Sequence, residues 1–160
     1  MLSRLDKLIK EDYSIDKFSN LSTPYQLAIV WFMAVDGDAW DGVDLSTYDI
    51  KDLKLTLPDL LVDFVSLYGD VLIGSVILKS VFVIESIMSD VDIADEFASW
   101  EEYHSFYLRC GDIPEHSKQS RWPVMLSNDD CETLRDGWHR FHSYMRDGDE
   151  EVSAFFFPSE

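Results

Sequence analysis

The densest grouping of side chains able to do chemistry lies near the end of the chain, in Leu134-Arg135-Asp136-Gly137-Trp138-His139-Arg140-Phe141-His142-Ser143-Tyr144. A glycine ahead of a helix start lets the backbone come close to a ligand. The first-turn N–H groups favour an anion, and a guanidinium pairs with phosphate. His139 and His142 stand three residues apart and could share a helix face. With Asp136 or Cys131 they would offer zinc-type donors, but zinc needs a second clear ligand pair, so no metal and no cofactor is expected. The run Asp36-Gly37-Asp38-Ala39-Trp40-Asp41-Gly42-Val43-Asp44 invites a calcium reading. Counted from Asp36, however, Trp40 and Asp41 occupy the fifth and sixth places of the loop and Thr47 the twelfth, where an oxygen ligand, a glycine and a glutamate are required. Counted from Asp90, Glu101 falls correctly but Ala94 and Asp95 do not. No nucleophile elbow, phosphate-binding loop or dinucleotide fingerprint is present, and nothing in the sequence signals turnover.

The C-terminal motif has a particular setting. Trp122-Pro123-Val124-Met125-Leu126 precedes it, and Gly148 and Glu151-Val152-Ser153-Ala154-Phe155 follow. This order of apolar strand, hairpin, Asp-Gly, aromatic-His-Arg helix start and last strand resembles the ParB/sulfiredoxin superfamily over about residues 120–157. The resemblance implies a nucleotide or phosphate cradle, with Asp136, Gly137, His139 and Arg140 at the anion. Sulfiredoxins place a nucleophilic cysteine directly before the histidine. Trp138 stands there, so the resemblance implies a local fold and a binding turn rather than that chemistry.

Charge points to a different class of function. The 160 residues carry 31 acidic and 13 basic side chains, a net charge of −18, with 46% hydrophobic residues. A chain this apolar is not a disordered acidic tail. The charge opposes direct contact with nucleic acid, where phosphates must be neutralised by Lys and Arg, and opposes anionic membrane surfaces. The excess is regional: residues 1–20 are net neutral, 21–102 are net −13, and 103–160 are net −5. The acids are interleaved with apolar residues, which is the pattern of a folded acidic face. The expected function is therefore a non-catalytic inhibitor or binding protein. Its face of Asp36, Asp38, Asp41, Asp44, Asp49, Asp52, Asp90, Asp92, Asp95 and Glu96 would imitate the phosphates of DNA, with Trp40 and Trp100 as aromatic anchors. The partner would be a basic, nucleic-acid-binding protein such as a restriction or CRISPR effector. The phosphate or nucleotide turn is the alternative.

These side chains need a scaffold. Residues 2–18 have the spacing of an amphipathic helix. Thr23-Pro24-Tyr25-Gln26 has the form of a capping box before an apolar run to Val35. Pro58 would open a helix closed by Gly69. Val71–Met88 is apolar and β-branched. Its length, with polar groups at Ser75, Lys79, Ser86 and Asp90, favours a buried helix over a strand. It also contains Lys79 and Glu85 and is too short and too charged to span a membrane. Asp92 would cap a helix from Ile93 to Arg109 with Phe97, Trp100, His104, Tyr107 and Leu108 on its apolar face. Strands at Trp122–Leu126, Cys131–Arg135 and Val152–Phe157 would flank a helix at Trp138–Arg146. The expectation is an α+β protein, with a mainly helical acidic body at 1–111 and a small hairpin–helix–strand lobe at 112–160. Two cysteines, Cys110 and Cys131, make no disulfide framework. They read as reduced, partly buried thiols, and no apolar leader is visible, so the expected location is cytoplasmic.

Overall fold

A computed structural model describes residues 13–35, 53–110, 121–126 and 134–158. Among them are six α-helices and a five-stranded mixed sheet, an α+β fold. In chain order these are β1 (Ser14–Lys17), a single 3-10 turn (Phe18–Asn20), α1 (Thr23–Val35), α2 (Leu53–Tyr68), β2 (Leu72–Lys79), α3 (Ser80–Met88), α4 (Val91–Glu96), α5 (Trp100–Cys110), β3 (Val124–Leu126), β4 (Leu134–Asp136), α6 (Trp138–Arg146) and β5 (Glu151–Phe156). The sheet order is β1-β2-β5-β3-β4. The chain divides into two compact units, Met1–Ile15 with Gly74–Glu160 in one and Asp16–Ile73 in the other.

In the Asp16–Ile73 unit, α1 packs on α2. Ala28, Ile29 and Val30 are all fully buried, as the all-round apolar character of this helix requires. Gln26 does not close a capping box. Its side-chain amide donates instead to the Phe18 carbonyl at 3.1 Å and the Ser19 carbonyl at 3.4 Å, tying α1 to the 3-10 turn. Pro58 sits inside α2 and does not open it. The helix expected over residues 2–18 is absent from its described part, where Ser14–Lys17 is strand, and residues 1–12 lie outside the description.

The larger unit corrects the reading of Val71–Met88. Leu72–Lys79 is a strand, and the helix begins only at Ser80. The burial pattern supplies the reason: Val76 and Leu78 face the core while Ile77 and Lys79 face solvent, the period of two of a strand. β-branched side chains fit that pleated surface. β2 runs antiparallel to β5, with Val76 opposite Ala154 and Leu78 opposite Val152. β3 lies parallel to β5 on its other side and antiparallel to β4. One sheet face, formed by Val76, Leu78, Val124, Leu126, Leu134, Val152, Ala154 and Phe156, packs with Val83 and Ile87 of α3 and Phe141 and Tyr144 of α6. Each large apolar side chain buried there contributes about 1.5–3 kcal/mol. Two further bonds fix the helices. Buried Ser80 donates through its hydroxyl to the Asp149 carbonyl at 2.7 Å, and Tyr144 donates to the Trp122 carbonyl at 2.6 Å.

The strand–hairpin–helix–strand order expected at the C-terminus is present as β3-β4-α6-β5. The single helix expected from Ile93 to Arg109 is two. Asp90, not Asp92, caps α4, its carboxylate accepting from the Asp92 and Ile93 backbone N–H groups at 2.9 and 3.4 Å. Phe97 is extended, and a reciprocal cap starts α5: the Glu102 N–H donates to the Ser99 hydroxyl at 3.2 Å, while the Glu102 carboxylate accepts from the Ala98 N–H at 3.1 Å.

β2 carries one glycine where it crosses β5. Gly74 is opposite Phe156, and a Cβ at this position would overlap the Phe156 ring. Gly74→Ala should cost about 1–3 kcal/mol in urea unfolding. Adding Phe156→Leu should return part of that loss. An unchanged midpoint for Gly74→Ala would show that the two strands do not pair in this register.

Candidate functional site

Three groups of side chains in the larger unit bear on function. The first is acidic. Ser80 to Leu108 contains seven carboxylates and no Lys or Arg. Asp90 and Glu102 act as caps, as described, because a carboxylate near a helix N-terminus satisfies orphan N–H groups and the macrodipole together. Asp92, Asp95 and Glu96 of α4 and Glu101 of α5 are exposed. Exposed apolar residues stand in the same stretch, Val91 at 70% and Phe106 at 45%. Trp100 is half-buried, its ring edge-on to Phe141 at 5.9 Å between centroids. Asp36, Asp38, Trp40, Asp41, Asp44, Asp49 and Asp52 lie outside the described residues.

The second group is the turn between β4 and α6. Gly137 is the N-cap residue, with φ +94° and ψ 22°, and it offers no side-chain cap. A left-handed conformation there is one that glycine adopts without steric cost. Arg140 folds back over it: a Cβ on Gly137 would lie 2.7 Å from Arg140 Nη2 and 3.0 Å from Val124 Cγ1. The Arg140 residue is only 6% exposed. Its Nη2 donates to Asp136 Oδ2 at 3.4 Å, its guanidinium lies 5.8 Å from the Trp122 ring centroid, and its Nε has no partner among the described residues. Burial lowers its pKa and the Asp136 carboxylate opposes that shift, so the side chain stays charged. His139, the fourth residue of the expected cradle, is exposed and tilts against the Tyr107 ring at 5.3 Å.

The third group was not assembled by sequence reasoning. His142 points inward and is fully buried, whereas His139, one turn earlier, is exposed; both reach the Tyr107 ring of α5. The His142 Nδ1 meets Nδ1 of His104 on α5 at 2.8 Å. The Tyr107 ring stacks on His142 at 3.7 Å and 9°, and the Trp100 ring lies near-parallel to both histidines at 5.1–5.2 Å. Tyr103 meets His142 edge-on at 5.4 Å. Burial first, then the neighbouring His104 and His139, push the pKa of His142 down to about 3. Burial first, then Arg146, lower that of His104. Burial, with Tyr103 beside it, pushes the Tyr107 phenol up to about 12. The signal in the sequence was the helical spacing of Trp100, Tyr103, His104 and Tyr107. It gives a face, but not the residue on the other helix that fills it.

Among the described residues no three His, Cys, Asp or Glu side chains come together as a metal site. No helix among them is long and apolar enough to cross a membrane. Cys110 is exposed at the end of α5 rather than partly buried, and Cys131 lies outside the description. Comparison with protein-family models, with curated proteins and with solved structures gave no match.

Gly137 and Gly148 separate strain from contact. Both have positive φ, +94° and +82°, but a Cβ on Gly148 would meet nothing. Alanine at either should lose about 1–2 kcal/mol through the left-handed conformation. Gly137→Ala should lose more, because it also displaces Arg140. Equal losses in urea unfolding would mean that Arg140 is not seated over the turn.

Proposed function

We propose that this chain is a non-catalytic binding protein whose acidic face docks on a basic, nucleic-acid-binding protein. The observation that carries this reading is the Ser80–Leu108 stretch. Its carboxylates are uninterrupted by any cation, and Glu85, Asp92, Asp95, Glu96, Glu101 and Glu102 are exposed on the folded surface. Single exposed ion pairs are worth about 0–1 kcal/mol each, so such a face acts chiefly by steering a cationic partner and fixing its register. Apolar contact supplies the remainder, and Val91 and Phe106 are exposed within the same stretch. A face that imitates phosphates competes with DNA for its partner, which gives such a protein the character of an inhibitor.

A second reading is supported by one specific feature, the turn at Gly137. A left-handed glycine without a side-chain cap precedes α6, beside a buried arginine whose Nε is unpartnered. This is the arrangement expected of a phosphate- or nucleotide-binding turn, with Asp136, Gly137, His139 and Arg140 around the anion.

Asp95 and Glu96 allow a test that spares the fold, because lysines at the C-terminal end of α4 suit the helix dipole. The full chain is immobilised and the proteins it retains from a lysate at low salt are identified. Nucleic-acid-binding proteins displaced by duplex DNA are expected. Asp95→Lys with Glu96→Lys should slow association about 10-fold or more at low ionic strength, with little difference at about 1 M salt, where the screening length is about 3 Å. Retention of the same proteins at the same rate by the double variant would contradict the reading. Calorimetry with a nucleoside triphosphate tests the second reading, which predicts binding that Arg140→Ala abolishes.

A further inference from the structure

His104 and His142 face each other Nδ1 to Nδ1 at 2.8 Å. That distance requires a single proton between the two nitrogens. Two bare nitrogens would repel through their lone pairs, and two N–H groups would clash. One neutral ring donates and the other, also neutral, accepts. A further proton leaves two poor choices. Either site makes one ring an imidazolium: on the far nitrogen of the donor it sets a cation among the rings, and on the accepting Nδ1 it also sets N–H against N–H and breaks the bond.

The surroundings offer such a cation little. His142 is fully buried, and its Nε2 has no partner among the described residues. Trp100, Tyr103 and Tyr107 supply rings from α5. The Tyr103 and Tyr107 phenols are held neutral, their ionisation pushed upward by burial, with Asp90 adding to the shift at Tyr103. From α6, the groups acting on the pair are His139 and Arg146, and Arg146 carries the same sign as a protonated histidine.

We propose that the His104–His142 contact is a proton-sensitive catch, which holds α5 against α6 while both rings are neutral and lets go when they take up protons. The direction follows from linkage. Both groups bind protons less readily in the folded chain than in the unfolded one, where the ordinary histidine value is 6.5. The contact therefore contributes its full stabilisation above that value and loses it progressively as pH falls. Release frees the helix that carries Glu101 and Glu102 and uncovers Trp100, so acidification acts on the acidic stretch through the fold as well as through its own carboxylates.

The test uses the full chain with ¹⁵N-labelled histidine. At neutral pH a through-hydrogen-bond N–N coupling between the two Nδ1 nuclei is expected. The near-ultraviolet circular dichroism of the aromatic cluster is then followed from about pH 8 to about pH 3. The wild type should lose signal below about pH 6.5, with uptake of about two protons. His142→Phe keeps a ring in the cage and cannot titrate, and it should move that transition to lower pH with fewer protons taken up. Should that variant not fold, His104→Gln keeps an acceptor for His142 without a titrating group and should shift the transition the same way. Absence of the coupling, or a wild-type acid midpoint in a folded variant, overturns the proposal.

Discussion

Helix α6 has no solvent side along its middle turns. Arg140, Phe141, His142, Ser143 and Tyr144 are five consecutive buried residues, and five in a row cover every direction around a helix of 3.6 residues per turn. One flank is met by the sheet, through Phe141 and Tyr144. Another is met by α5, through His142. The two contacts differ in kind. The first is aliphatic and aromatic packing of the sort any core supplies. The second rests on a polar ring that must stay uncharged, stacked among other rings and bonded through one nitrogen. The sheet would keep most of its packing without α5, but α5 has no fully buried residue of its own and depends on α6.

That dependence shapes where charge can go. A helix buried all round its middle has no place for an unpaired carboxylate, and α6 has none between Asp136 and Asp147. Seven acids lie between Ser80 and Leu108, along α3 to α5, where they cap helix starts or face water. The functional reading rests on this separation: a core-facing helix with buried Arg140 and His142, and an acidic layer attached to it. Asp90 and Glu102 belong to both aspects, since they fix helix starts and add negative charge. Asp95 and Glu96 sit in the last turn of α4, where the dipole disfavours them. Their placement there is not explained by helix stability.

The sequence made the C-terminal elements legible because their signals are local. Gly137 before an aromatic-rich run and Gly148 after it bracket α6, and the flanking strands are short apolar runs next to turn residues. The α+β class follows from the same cues. Two kinds of signal misled. In Val71–Met88 an eight-residue strand runs directly into a nine-residue helix without a glycine or proline between them, so length argued for one helix. The switch is visible only in the pairing of Val76 and Leu78 with Ala154 and Val152, contacts far away in the chain. Between Asp90 and Arg109, Ser99 and Glu102 form a start signal inside an apparently continuous helical face. The histidine pair was illegible for a different reason. His104 and His142 are 38 residues apart, and nothing local marks the second as the partner of the first. The spacing of His139 and His142 suggested a shared face. Both rings do reach Tyr107 of α5, but only His142 is buried there, and His139 lies at the exposed rim.

The buried His142 ring holds α5, and the acidic layer it belongs to, on the fold. Amide hydrogen exchange of His142→Ala at neutral pH measures this residue by residue. Amides of α5, from Trp100 to Cys110, should lose protection by far more than those of β2 and β5, because the sheet keeps its own packing. Uniform loss across both, or unchanged protection in α5, would contradict it.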